Sequence, residues 1–144
     1  MKTSSKARYA LYLVVDIARF QADGPVSLRV ISERQGISLK FLQQIATELG
    51  KAGFLQSTRG AQGGYLLARP AEMISAGEIM RAAEGGFLPV SCLELQDMDC
   101  DCPRQGHCGS TASFWAGLRH AIDNYIDNVS IEQLASDLPI ASTS

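Results

Sequence analysis

The chain has no apolar run approaching the roughly 20 residues that a membrane-spanning helix needs. Its first residues only briefly imitate an export signal. Lys2, Lys6 and Arg8 precede the apolar stretch 9–15, but Asp16 and Arg19 interrupt it and no small-residue cleavage site follows. Cysteine is missing everywhere except between Cys92 and Cys108, where all 4 are found. These absences imply a cytoplasmic protein with reduced thiols, no disulfide framework and no membrane partner. The chain also lacks a convincing nucleophile, general base or substrate-binding motif, so it is not expected to be an enzyme. Its 144 residues suit one domain over 1–135, with a disordered tail over 136–144.

What is present is unevenly distributed. The formal net charge of −2 conceals a basic half joined to an acidic half. Residues 1–70 hold ten Lys/Arg against four acids, and the remainder holds three against eleven. Only the first half is therefore suited to meet a polyanion, although solvated faces can produce the same excess.

The basic half reads as helical punctuation. Thr3 or Ser4 can cap a first helix whose face carries Ala7, Leu11, Val14 and Ala18, with Leu13 and Ile17 beside it. Asp23-Gly24-Pro25 ends it as a turn. Ser27 can cap a second helix and Gly36 can end it in a left-handed residue. Ser38 can cap a third, with Phe41, Leu42, Ile45, Ala46 and Leu49 apolar and Gly53 ending it. Two short helices over about 28–52 joined by a tight Gly turn form a helix-turn-helix. Lys40, Gln43 and Gln44 fall near the start of its second helix, the end that enters the DNA major groove. Gln can pair with adenine and Lys can reach guanine or phosphate, but a plain helical hairpin has the same pattern. Strands are expected over Phe54–Thr58 and Tyr65–Ala68, joined by a mobile glycine-rich turn. A hairpin after a helix-turn-helix makes a β-wing over 54–68, with Arg59 at its tip for a narrow minor groove. The glycine-rich turn is not a phosphate loop, because it lacks the Gly-Lys-Ser/Thr ending and leads into a strand.

In the acidic half, Ser75 and Glu78 form a capping box for a helix ending near Gly85-Gly86. A cysteine-bearing loop over 89–109 follows, then a long helix over 111–128. On that helix Trp115, Leu118, Ile122, Tyr125 and Val129 recur at the alternating spacing of a paired-helix seam. The same stripe can also face the chain's own core. Ser130 can cap a last short helix carrying Ile131 and Leu134. The fold class expected is mainly α: a winged helix-turn-helix with a two-stranded wing and a long C-terminal helix.

The segments MKTSSKARYAL, ISERQGISLKFLQQI and RGAQGGYLL resemble the Rrf-two type of bacterial winged-helix regulators, most nearly its IscR-type iron–sulfur sensors. The resemblance runs from residue 1 to about 135 and is densest over 1–68. It implies a homodimeric transcription factor, a repressor type among its roles, with the long helix as dimerisation helix. It places Ser38, Lys40, Gln43 and Gln44 on the recognition helix and Arg59 on the wing. Two such helices related by a two-fold axis would read an inverted repeat in double-stranded DNA. The position of Gln43 carries Glu in IscR-type proteins. Gln neither repels phosphate nor accepts from cytosine as Glu does, so the resemblance does not imply the same site selection here.

Thiolates this close serve a metal, a cluster or a redox switch. The window lacks the two close pairs usual for zinc, and three thiolates with a ligand from elsewhere suit an iron–sulfur cluster better. By resemblance, Cys102 and Cys108 match the last two cysteine ligands of the family and Cys92 the first, although the gap from Cys92 to Cys102 is longer than the common pattern. The family's IscR-type members place a histidine where this chain has Thr111, and the other family positions hold Arg8 and Tyr12. Cys100 or His107 would then complete the set. The cluster could hold two or four irons. The alternatives are a metal-free regulator driven by thiol oxidation or by a partner protein, and a zinc or iron–sulfur protein that does not read DNA. Nearby Glu94, Asp97, Asp99 and Asp101 would disfavour thiolates and weaken a metal-free sensor.

Overall fold

A computed structural model describes residues 5–84 and 111–136. Helix α1 (Ser5–Phe20) is the spine on which most of the other helices pack. Its Leu13, Val14 and Ile17 are fully buried. Burial of such side chains stabilises the fold by about 1.5–3 kcal/mol each. The covered face differs from the sequence expectation. Ala7, Ala10, Leu13, Val14 and Ile17 lie at its centre, while Leu11 and Ala18 are only partly buried at its edges. The cause is that α1 is packed by helices from several sides rather than by one flat surface. The cap expected at Thr3 or Ser4 lies outside the described residues.

A single 3-10 turn (Gln21–Asp23) and Gly24, at φ 119°, end α1 as expected. Helix α2 (Leu28–Gln35) begins at Ser27, whose hydroxyl accepts from the Arg29 backbone N–H at 3.2 Å. It stops at Gly36, at φ 67°. Helix α3 (Leu39–Lys51) begins at Ser38 and buries Leu42, Ile45, Ala46 and Leu49. Strands β1 (Leu55–Thr58) and β2 (Gly64–Leu67) pair antiparallel, Leu55 opposite Leu67 and Thr58 opposite Gly64. Strand β1 starts one residue later than expected, and β2 starts and ends one residue earlier.

A connection not visible in the sequence holds this hairpin in place. Val26 and Tyr65 exchange both backbone hydrogen bonds, at 3.0 and 2.8 Å, so the segment before α2 lies as a one-residue third strand beside β2. The approach is so close that a Cβ at Gly64 would overlap the Val26 carbonyl. Gly64→Ala is therefore expected to lower stability by about 1–3 kcal/mol. Urea unfolding would measure this, and an unchanged midpoint would show that the wing base is not so tightly joined.

Helix α4 (Ala76–Glu84) carries the expected capping box: the Ser75 N–H donates to Glu78 at 2.9 Å, and the Glu78 N–H donates to the Ser75 hydroxyl at 3.1 Å. Helix α5 (Ala112–Asp127) packs chiefly against α4, and the short α6 (Ile131–Ala135) packs on α1. The Ala76 N–H donates to the Val129 carbonyl at 2.8 Å, and the Ile131 N–H donates to the Ile74 carbonyl at 2.8 Å. The start of α4 is thus zipped to the end of α5, and the two helices run antiparallel. Ser130 and Gln133 form a second capping box, which starts α6 and buries Ile131. The chain is mainly α with a two-stranded wing, as its sequence implies.

Candidate nucleic-acid interface

The surface built by α2, α3 and the hairpin starts with a rigid turn. Gly36 supplies the left-handed residue. The Ser32 hydroxyl donates to the Ile37 carbonyl at 2.5 Å, and Ile37 is buried. The Ser38 hydroxyl accepts from the Phe41 N–H at 3.4 Å and sets the first turn of α3. With Leu42, Ile45, Ala46 and Leu49 turned inward, the outer face of α3 consists of exposed Lys40, Gln43, Gln44, Thr47 and Lys51. Ser38 is exposed at the start of the same face. Thr47 was not singled out from the sequence, although its spacing from Gln43 and Gln44 places it among them.

The helix-turn-helix is braced from beneath by a buried acid. Asp16 is only 2% exposed. Its carboxylate accepts from Arg34 Nε at 3.1 Å, Arg34 Nη2 at 2.6 Å and Gln35 Nε2 at 3.1 Å. The Arg34 guanidinium also lies over the Phe20 ring, 3.9 Å from its centroid. This two-pronged arrangement joins α1 to the last turn of α2, immediately before Gly36. In the sequence Asp16 is only a charge interrupting an apolar stretch. The available signal is its place on the inward face of α1.

Further braces position α3. Lys6 Nζ donates to Glu48 at 2.8 Å, and the Tyr9 and Phe41 rings meet edge to face at 5.5 Å. Arg59 is exposed just beyond β1, before Gly60 at φ 117°, at the tip of the hairpin. A helix side chain and a wing arginine are thus presented by one connected body.

Helix α5 is differently placed. None of its described residues is buried. Trp115, Leu118 and Ile122 are half-buried, Tyr125 is 53% exposed, and Phe114, packed edge-on against Trp115, is 61% exposed. Val129, the last member of the expected seam, is covered within its own chain. Another side of α5 is tied to α4 by Arg81, which donates to Asp127 at 2.6 and 3.0 Å and to Asp123 at 3.2 Å. The Arg81 hydrogen bonds hold the Asp127 carboxyl below the ordinary carboxylate range. Its small stabilising contribution is present above that range and is lost as pH falls through the lowered value.

The expected ligands Cys92, Cys100, Cys102, Cys108 and His107 lie outside the described residues, as do the loop 89–109, the helix end at Gly85-Gly86 and the tail 137–144. Thr111 immediately precedes α5 and is exposed. Among the described residues no group of three His, Cys, Asp or Glu side chains could hold a metal ion. Among them, too, no helix is long and apolar enough to cross a membrane.

A braced helix-turn-helix with a polar outer face, followed by an arginine-tipped hairpin, defines a winged-helix, DNA-binding regulator of transcription. The chain belongs to the Rrf2 family, whose model, described as an iron-dependent transcriptional regulator, matches residues 3–137. It is 34% identical over 136 residues to the HTH-type transcriptional regulator CymR of Bacillus subtilis, covering 94% of this chain and 91% of that protein. It is 35% identical over 140 residues to the HTH-type transcriptional regulator IscR of Yersinia pseudotuberculosis, covering 97% and 82%. Among solved structures it is similar to CymR (YrzC), the global cysteine regulator of B. subtilis. The TM-score is 0.78 at 33% identity, covering 96% of this chain and 98% of the other.

Proposed function

We propose that the chain is a cytoplasmic, homodimeric repressor-type regulator that reads an inverted-repeat operator and whose operator affinity is set by an iron–sulfur cluster on the cysteine segment. The observation that carries the DNA reading is the outer face of α3: Ser38, Lys40, Gln43 and Gln44 stand exposed together on one connected body with Arg59. Lys and Gln there match the donor and acceptor edges of the major groove, and an arginine-tipped wing suits the minor groove.

The cluster reading rests on the donor chemistry of the sequence and on the family's description as iron-dependent. Cys92, Cys102 and Cys108 would hold it, with Cys100 or His107 as the fourth ligand. Bound there, it would supply a centre sensitive to oxidants and to iron supply. The cysteine segment connects α4, packed on α1 and α3, directly to α5. Ordering or releasing that segment would bias how α5 is held relative to α3. A bias of about 1–3 kcal/mol changes occupancy roughly 5- to 150-fold.

One experiment tests both parts. The chain is reconstituted anaerobically with iron and sulfide, and its operator affinity is compared with that of the metal-free protein. Visible absorption is expected, and it should be lost in Cys92→Ala, Cys102→Ala or Cys108→Ala. Arg59→Ala and Gln44→Ala should weaken operator binding, and Arg59→Ala should also flatten its salt dependence. Colourless protein rejects the cluster; unchanged binding in both variants rejects the interface. A second reading, a metal-free thiol regulator of the same fold, is favoured by the similarity to CymR and by Thr111 standing where IscR-type proteins carry a histidine. It predicts DNA binding that responds to oxidant with no bound iron.

A further inference from the structure

We propose that Thr47 is a specificity-determining residue that reads the methyl group of a thymine in the major groove. This inference rests on α3 being the DNA-reading helix and names what one of its residues reads.

Two features of Thr47 combine. The first is position. Lys40, Gln43, Gln44 and Thr47 follow one another at steps of three, one and three, the spacing by which a homeodomain recognition helix presents its base-reading residues. At about 100° per residue these four fall within one arc of roughly 100°, with Thr47 between Gln43 and Gln44. The buried residues Leu42, Ile45, Ala46 and Leu49 occupy the opposite side. Thr47 therefore points where the two glutamines point, one turn further along the helix, and it is exposed.

The second feature is chemistry. The Thr47 hydroxyl donates to the Gln43 carbonyl of its own helix at 2.8 Å. That bond holds the hydroxyl back against the backbone. The hydroxyl's one donor is used within the helix, which leaves the methyl group as the apolar part available to a partner. In the major groove only thymine offers a methyl, and apolar contact with it is how a threonine methyl discriminates bases. Lys40, Gln43 and Gln44 supply polar contacts; Thr47 supplies the one apolar probe on the same face. Threonine is also a poor helix former, so an exposed helical position does not favour it on local grounds.

The test uses the full chain, reconstituted and metal-free, to select duplexes from a randomised pool. Each thymine of the selected duplex is then replaced by uracil, which lacks only the methyl. Burial of one methyl predicts about a fourfold loss of affinity for uracil at one thymine in each half-site. Thr47→Ser keeps the hydroxyl and removes the methyl. It should lose about the same factor on the thymine duplex and show no further loss on the uracil duplex. Thr47→Val keeps methyl groups and should retain the thymine–uracil difference. Equal loss on thymine and uracil duplexes, or no loss in Thr47→Ser, overturns the assignment while leaving DNA reading intact. Failure of either form to enrich any duplex overturns both.

Discussion

Replacing Tyr125 with aspartate is expected to give a folded monomer whose affinity for a duplex with two half-sites falls by about 100-fold or more. The expectation follows from how little of α5 the described residues of its own chain cover. Trp115, Leu118, Ile122 and Tyr125 lie about a third of a turn away from the side that meets α4 through Asp123, Ile126 and Asp127. A helix of this length holds its shape mainly by packing an apolar face, and α4 covers only one side. A second copy of α5 would cover the rest. A carboxylate at the position of Tyr125 would then be buried without a partner, which an interface cannot absorb. Tyr125 is 53% exposed in the single chain, so the substitution leaves the monomer's own core untouched. Light scattering would report the mass, circular dichroism the fold, and titration of one- and two-half-site duplexes the affinity. A variant that stays dimeric would show that the seam is not the contact between copies.

Replacing Arg34 with methionine is expected to destabilise the chain by about 3–5 kcal/mol. That is a large share of the roughly 5–15 kcal/mol that holds a domain together. Arg34 itself is partly exposed, with 34% of its side chain open to solvent, while Asp16 is closed off. The cost therefore comes from stranding the carboxylate, with only the Gln35 amide left to it. The paired change Asp16→Val with Arg34→Met removes the stranded charge and should recover most of the loss. Urea unfolding of the single and double variants separates these effects. A loss below about 1 kcal/mol in Arg34→Met would mean the pair behaves as a surface contact.

Much of this fold can be read from local chemistry. Ser27, Ser38, Ser75 and Ser130 cap helices because a short side-chain oxygen reaches the free N–H groups of the next turn, which needs only neighbours in sequence. Gly36 and Gly53 mark helix ends for an equally local reason, at φ 67° and 87°. The polar face of α3 and the tip position of Arg59 follow from the same periodicities. What escaped the sequence depends on residues far apart along the chain. Asp16 acquires its meaning only from Arg34 and Gln35, and the third strand at Val26 only from Tyr65. The rotation of the α1 face has the same origin, because several helices decide which side is covered. The proposed cysteine ligands rest on spacing and resemblance alone, which leave the fourth position open between Cys100 and His107.

The ladder between Val26 and Tyr65 has a consequence for binding entropy. A free two-stranded hairpin would fluctuate, and a duplex would have to arrest it at the moment of contact. Here the hairpin is stitched to Val26 in the segment before α2, and α2 is joined through Gly36 to α3. The gap between the α3 side chains and Arg59 is consequently set when the chain folds. On the proposed DNA reading, the protein would meet DNA as a caliper already opened to one width, and a duplex whose grooves do not match that width would be rejected by shape.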